Sequence, residues 1–130
     1  MAKLSLTARL DVFKKAVVRL KEASDAPKTD FTRDALIQRF EFTYELAWKL
    51  VKAYAEKEGV EVKSPRGALN AALELGLIED GNAWSELQKK RNLTSHTYDE
   101  SLAASVYDFM NARGVALFEG LVQKLSGLIE

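Results

Sequence analysis

Apolar residues recur along this chain at spacings of three and four, and no segment alternates with a period of two, so helices are expected throughout. The first is predicted from about Ser5 to Ala23, with Leu6, Leu10, Phe13, Val17 and Leu20 on one face. "SDAPKTD" stops it, because Pro27 cannot continue a helix. The second and longest is predicted from Thr32 to Glu58, closed by Gly59, and spans roughly 40 Å at the helical rise. After the connector "VEVKSPRG", Ser64 followed by Pro65 is a good start for a short helix to Leu75, which ends at Gly76. "IEDGN" is a turn. A further helix starts near Asn82 and runs to His96. Thr97 and Glu100 have capping-box spacing, which predicts a last helix from there to about Leu128. Short connections between four main helices, with one short extra helix, imply an all-α, up-and-down four-helix bundle forming a single domain over residues 1–130.

The second helix carries more apolar surface than one face needs. Phe40, Tyr44, Ala47, Val51 and Tyr54 form one stripe, and Phe42, Leu46, Leu50 and Ala53, with Trp48 nearby, form another. Glu41, Glu45, Lys49, Lys52 and Glu56 make a narrow polar line. Two readings follow. The helix lies in the middle of its own bundle, or one stripe fills the core and the other meets a second copy in a two-fold dimer. Glu45 and Lys49, four apart, contribute only a few tenths of a kcal/mol and do not decide between them.

Composition narrows the chemistry. Of 130 residues, 47% are hydrophobic and 29% charged, as in an ordinary soluble globular protein. Lys plus Arg and Asp plus Glu each number 19, so the chain as a whole does not attract nucleic acid or anionic membrane, and any anion site must be local. No DNA partner is expected. Cysteine is absent, which removes disulfides and thiolate chemistry and suits a reducing cytoplasm. With one histidine besides, no metal site and no cofactor are expected. No apolar run approaches a membrane span, and the N-terminus lacks the apolar stretch of a signal peptide.

That single histidine, His96, sits in "RNLTSHTYDE" with Arg91 five residues before it and Tyr98 two after. On a helix, Asn92 shares its face and Arg91 lies about 140° round, able to reach the same groove if the helix end loosens. Arginine offers an always-charged fork suited to phosphate. Histidine passes protons near neutral pH and, in a last turn, is favoured in its charged form. Asparagine can orient either. These are the parts for cutting RNA without metal: a base for the 2′-hydroxyl, a cation at phosphorus and an acid for the leaving oxygen. Base and acid are two tasks and one protomer has one histidine, so two copies sharing a cleft would supply both. The plainer reading makes His96 a capping or surface residue, Tyr98 a packing residue with a wet hydroxyl, and "KKR" at Lys89–Arg91 a solvated face.

Three stretches, "RFEFTYELAWKLVKAY", "SPRGALNAALELGLI" and "RNLTSHTYDE", resemble the HEPN superfamily, specifically the HepT-like proteins also called nucleotidyltransferase substrate-binding proteins. That family's motif is arginine, a polar residue, three further positions, histidine, any residue and tyrosine. Arg91, Asn92, His96, Thr97 and Tyr98 fill it. The resemblance implies a four-helix bundle, a two-fold homodimer with a composite cleft, and a metal-independent ribonuclease toxin in which Arg91, Asn92 and His96 are catalytic. It also implies a partner, an MNT-type nucleotidyltransferase antitoxin that transfers AMP to Tyr98. The chain lacks the Gly-Ser…Asp-x-Asp signature of such a transferase, so the resemblance makes it that enzyme's partner or substrate. A competing reading is a binding module whose cleft holds RNA or nucleotide for the transferase and cuts nothing.

Overall fold

A computed structural model describes residues 4–130. Its helices are α1 (Leu6–Asp25), α2 (Asp30–Lys57), α3 (Pro65–Glu74), α4 (Gly81–Leu93), α5 (Glu100–Phe109) and α6 (Val115–Ile129). A 3₁₀ turn, Thr94–His96, follows α4, and a π-helical segment, Met110–Gly114, joins α5 to α6 so that the two make one long rod. Four long elements and the short α3 are therefore the expected bundle, and the described residues contain no strand.

Local chemistry sets the boundaries. Ser5 caps α1 by accepting from the Ala8 N–H. Thr29 and Thr32 cap α2 reciprocally, which starts the helix at Asp30, two residues earlier than Thr32. Ser64 accepts from the Gly67 N–H with Pro65 in the first turn of α3, and Gly59 and Gly76 reverse the chain after α2 and α3 at φ of 87° and 72°. The start of α5 departs from expectation. Its cap is Asp99, whose carboxylate accepts from the Ser101 and Leu102 N–H groups, while Thr97 turns back to donate to the Thr94 carbonyl. The 3₁₀ turn uses up residues 94–96, and a carboxylate complements the positive end of α5 better than a hydroxyl does.

The core forms around α2, which packs on α1, α3, α4 and α5. Phe40, Tyr44, Ala47, Val51 and Tyr54 are all buried, and so is Leu50 from the second stripe. Phe42, Leu46, Trp48 and Ala53 are half-buried. The helix thus lies in the middle of its own bundle, and most of its doubled apolar surface is spent there. Phe13, Phe40, Trp84 and Phe118 meet at the centre with ring centroids 5.7–6.2 Å apart, largely edge to face. Burying each such ring contributes about 2–3 kcal/mol.

The π segment is built on a close approach. The Val115 N–H donates to the Met110 carbonyl, five residues back, and a Cβ on Gly114 would overlap the sulfur and methyl of the fully buried Met110. Arg113, from this segment, pairs at 2.9 Å with Asp80, the cap of α4. The Ala83 N–H and then Arg113 hold the Asp80 carboxyl below its usual range.

Candidate functional site

The motif residues occupy the end of α4, the 3₁₀ turn and the approach to α5. Polar contacts frame this corner. Arg33, near the start of α2, reaches Glu100 at 2.5 Å and Asp34 at 3.3 Å, and the hydrogen bond to Glu100 above all keeps its guanidinium protonated. Asp99 is pushed below the usual carboxylate range, first by the Ser101 hydroxyl and then by the N–H groups that it caps.

His96 and Tyr98 stand side by side in solvent. His96 Nδ1 is 3.5 Å from the Tyr98 hydroxyl, at the outer limit for a hydrogen bond, and the rings meet edge to face with centroids 6.1 Å apart. Tyr98 is 84% exposed, unlike the packing residue of the plainer reading. Such a large ring held out of the core is available to a partner. Asn92 is exposed as well.

Arg91 behaves differently. Its side chain is only 27% exposed and lies against α2. Nη2 is 3.6 Å from Glu45 Oε1, Nη1 donates to Thr94 Oγ1 at 3.0 Å, and Nε is buried with no hydrogen-bond partner. The Thr94 hydroxyl in turn donates to the Arg91 carbonyl at 2.7 Å. The other Glu45 oxygen, Oε2, accepts from the Trp48 indole N–H at 3.1 Å and lies 3.9 Å from Lys49 Nζ. The α4 end does loosen into a 3₁₀ turn as Arg91 would need in order to swing toward His96, yet Glu45 and Thr94 hold it elsewhere. Among the described residues no hydrogen bond joins Arg91 to His96. Of the two, only His96 is open to solvent.

Tyr44 is buried within range of the guanidinium charge. Burial pushes its phenol up to about 12, while the Arg91 cation opposes the shift. Arg91 therefore has an acid, a hydroxyl and a buried phenol around it, and the acid is the partner that periodicity could not supply. Glu45 appeared in the sequence only as half of a pair within α2; its contact with Arg91 crosses two helices. The described residues contain no group of three or more His, Cys, Asp or Glu placed to hold a metal ion, and none of their helices is long and apolar enough to cross a membrane.

Comparison with known proteins agrees with this architecture. A family model described as "Nucleotidyltransferase substrate binding protein like" matches residues 8–127. A Haemophilus influenzae protein named "Probable ribonuclease HepT" is 38% identical over 76 residues, which cover 55% of this chain and 52% of that protein. The chain thus spans about half the length of the curated relative that it matches. A crystal structure from Thermus thermophilus superposes with a TM-score of 0.80 at 38% identity, over 87% of this chain and 98% of that one. A Haemophilus influenzae structure, described as revealing the fold of a substrate binding domain of a nucleotidyltransferase, superposes with a TM-score of 0.79 at 29% identity, over 90% of this chain and 98% of that one.

Proposed function

The chain belongs to the nucleotidyltransferase substrate binding protein like family, and we propose that it acts there as a HepT-type ribonuclease toxin, paired with a nucleotidyltransferase antitoxin. The observation that carries this reading is the exposed His96–Tyr98 pair, one turn beyond an arginine already fixed in place. A histidine packed in the core could not reach a substrate. This one faces solvent, where it can meet a ribose.

The chemistry needs no group beyond the side chains. One histidine takes the proton of a 2′-hydroxyl, and the oxygen attacks the adjacent phosphorus. The bond to the 5′-oxygen breaks, and a second, protonated histidine gives that oxygen its proton. Arg91 stabilises the charge that builds on the phosphoryl oxygens, and Asn92 orients the ribose or the ring. Two copies related by a two-fold axis would bring two His96 and two Arg91 to one cleft. The half-buried Phe42 and Leu46 offer apolar surface for such a pairing. Sedimentation should then give about twice 14.5 kDa.

A second reading, a non-catalytic subunit that holds nucleotide for the transferase, is favoured by one specific feature: Glu45 already occupies Arg91. A labelled single-stranded RNA incubated with the purified chain in EDTA separates the two. Under the ribonuclease reading it is cut to products ending in 2′,3′-cyclic phosphate, and His96→Ala leaves it whole. Intact RNA with wild-type protein, together with measurable nucleotide binding, would put the second reading first.

A further inference from the structure

A groove of about 570 Å³ runs between the start of α1 and the second half of α2. Arg9 lines it from α1, and Trp48, Lys49, Lys52, Glu56 and Lys57 line it from α2. Four cations thus face one carboxylate in a chain whose formal net charge is zero. Lys52 is engaged by Glu56 at 2.8 Å and by the Val62 carbonyl at 3.1 Å. Arg9 and Lys57 have no ion-pair partner among the described residues. The groove is also contiguous with the candidate site. Trp48 and Lys49 line it and both meet Glu45, whose other oxygen meets Arg91.

We infer that this groove is the track along which a single-stranded RNA lies as it leaves the Arg91–His96 site, with its phosphates on Arg9, Lys49 and Lys57 and a base against Trp48. Cations that follow a groove beside an aromatic ring are what a flexible polyanion with flat bases requires. A second copy of this chain is a poor occupant, because a two-fold axis through the groove would set cations against cations. The ribonuclease reading supplies only the identity of the polyanion; the groove and its charge stand without it.

The test uses the full chain and a fluorescein-labelled 2′-O-methyl oligouridylate, which lacks the attacking hydroxyl and stays whole. Anisotropy titrations across a salt series should give steep salt dependence for wild type. In Arg9→Ala/Lys57→Ala binding should weaken, and the log–log salt slope should fall by about 1.4, at ~0.7 for each phosphate of a single strand that is no longer neutralised. Lys21→Ala/Lys63→Ala, which removes two exposed charges outside the groove, should bind as wild type does. The oligonucleotide should quench tryptophan emission in wild type and do so much less in Trp48→Phe. Equal affinity and slope in the groove variant and wild type would overturn the track while leaving any observed cleavage, and so the ribonuclease reading, untouched. Binding of phosphatidylglycerol vesicles without binding of the oligonucleotide would overturn it too. Loss of binding in the groove variant, when wild type never cuts unmodified RNA, would keep the track and remove the nuclease.

Discussion

Arg91 Nη2 and Glu45 Oε1 lie 3.6 Å apart and join the end of α4 to the middle of α2. The pair is partly exposed, 27% and 40%, so its direct contribution to stability is small, about 0.2–1 kcal/mol. Its larger effect is geometric. With Thr94 on the other nitrogen, it leaves the guanidinium one position out of the many open to a long side chain.

Glu45→Ala should therefore cost activity more than stability. It removes the contacts to Arg91 and Trp48 together, for about 1–2 kcal/mol in urea unfolding. Under the ribonuclease reading cleavage should fall through kcat, because a guanidinium freed from Glu45 is spread over many positions. Glu45→Gln keeps an oxygen for one donor and should recover much of the lost rate. Glu45→Ala cutting RNA as fast as wild type would show that the pair does not position Arg91 for catalysis.

Tyr44 predicts an alkaline instability. Its phenol ionises at about 12 in the folded chain and near 10 when unfolded. The folded state thus retains a proton that the unfolded state gives up, and stability is complete below pH ~10 and declines as pH rises toward 12. A shift of this size corresponds to at most about 2–3 kcal/mol, reduced to about 1–2 by solvent at the ring edge. Tyr54 moves in the same direction, through burial first and then Glu58. Urea titrations from neutral pH to about pH 12 should show Tyr44→Phe losing less stability than wild type. Arg91→Ala, which removes the opposing cation, should displace the Tyr44 titration further upward. An identical alkaline slope in wild type and Tyr44→Phe would contradict the assignment.

The bundle was legible in the sequence because its information is local or periodic. Ser64–Pro65 and Gly76 bracket α3 by their own chemistry, and the Phe40–Tyr54 stripe is buried as its spacing requires. What escaped depends on contacts across the fold. Thr97 had a good spacing for a cap, but whether it or Asp99 performs the task turns on how far the preceding turn extends. The direction of Arg91 is set by an acid 46 positions earlier, and helical geometry around His96 cannot show that. The motif itself was plain in the sequence, whereas the split between a fixed arginine and a free histidine was not. The π segment left no signature, since "MNARG" reads as continuous helix.

Gly114 should resist substitution. In Gly114→Ala the new methyl meets the sulfur and methyl of Met110, which is fully buried. Overpacking of this kind costs about 1–3 kcal/mol. Met110→Ala opens a cavity instead, at about 2–5 kcal/mol. The double variant should lose less than the two costs added, because each change relieves the other. Denaturant midpoints of the four proteins complete the cycle. Strict additivity would mean that the two side chains do not compete for one space.

Tyr98 is the natural acceptor in the proposed pairing with a nucleotidyltransferase. At 84% exposure its hydroxyl is open to attack on a nucleotide α-phosphorus, with pyrophosphate as the leaving group. The adjacent ring nitrogen of His96, 3.5 Å away, can accept the phenolic proton as the new oxygen–phosphorus bond forms. The attached AMP would then place a phosphate and a nucleoside directly over His96, where a ribose must otherwise dock, and silence the site without disturbing the buried core. Incubation with a cognate transferase, ATP and Mg²⁺ should raise the intact mass by one or more AMP units, with the first on Tyr98. Modified protein should keep the helical circular dichroism and melting of the unmodified form while losing cleavage. Tyr98→Phe has no proton-transfer task to lose, so it should retain much of the cutting and escape silencing. His96→Ala should be labelled more slowly, since the phenolic proton loses its nearest acceptor. Full labelling of Tyr98→Phe would show that the acceptor lies elsewhere, and undiminished cleavage by protein modified at Tyr98 would show that the turn carrying His96 is not where RNA is cut.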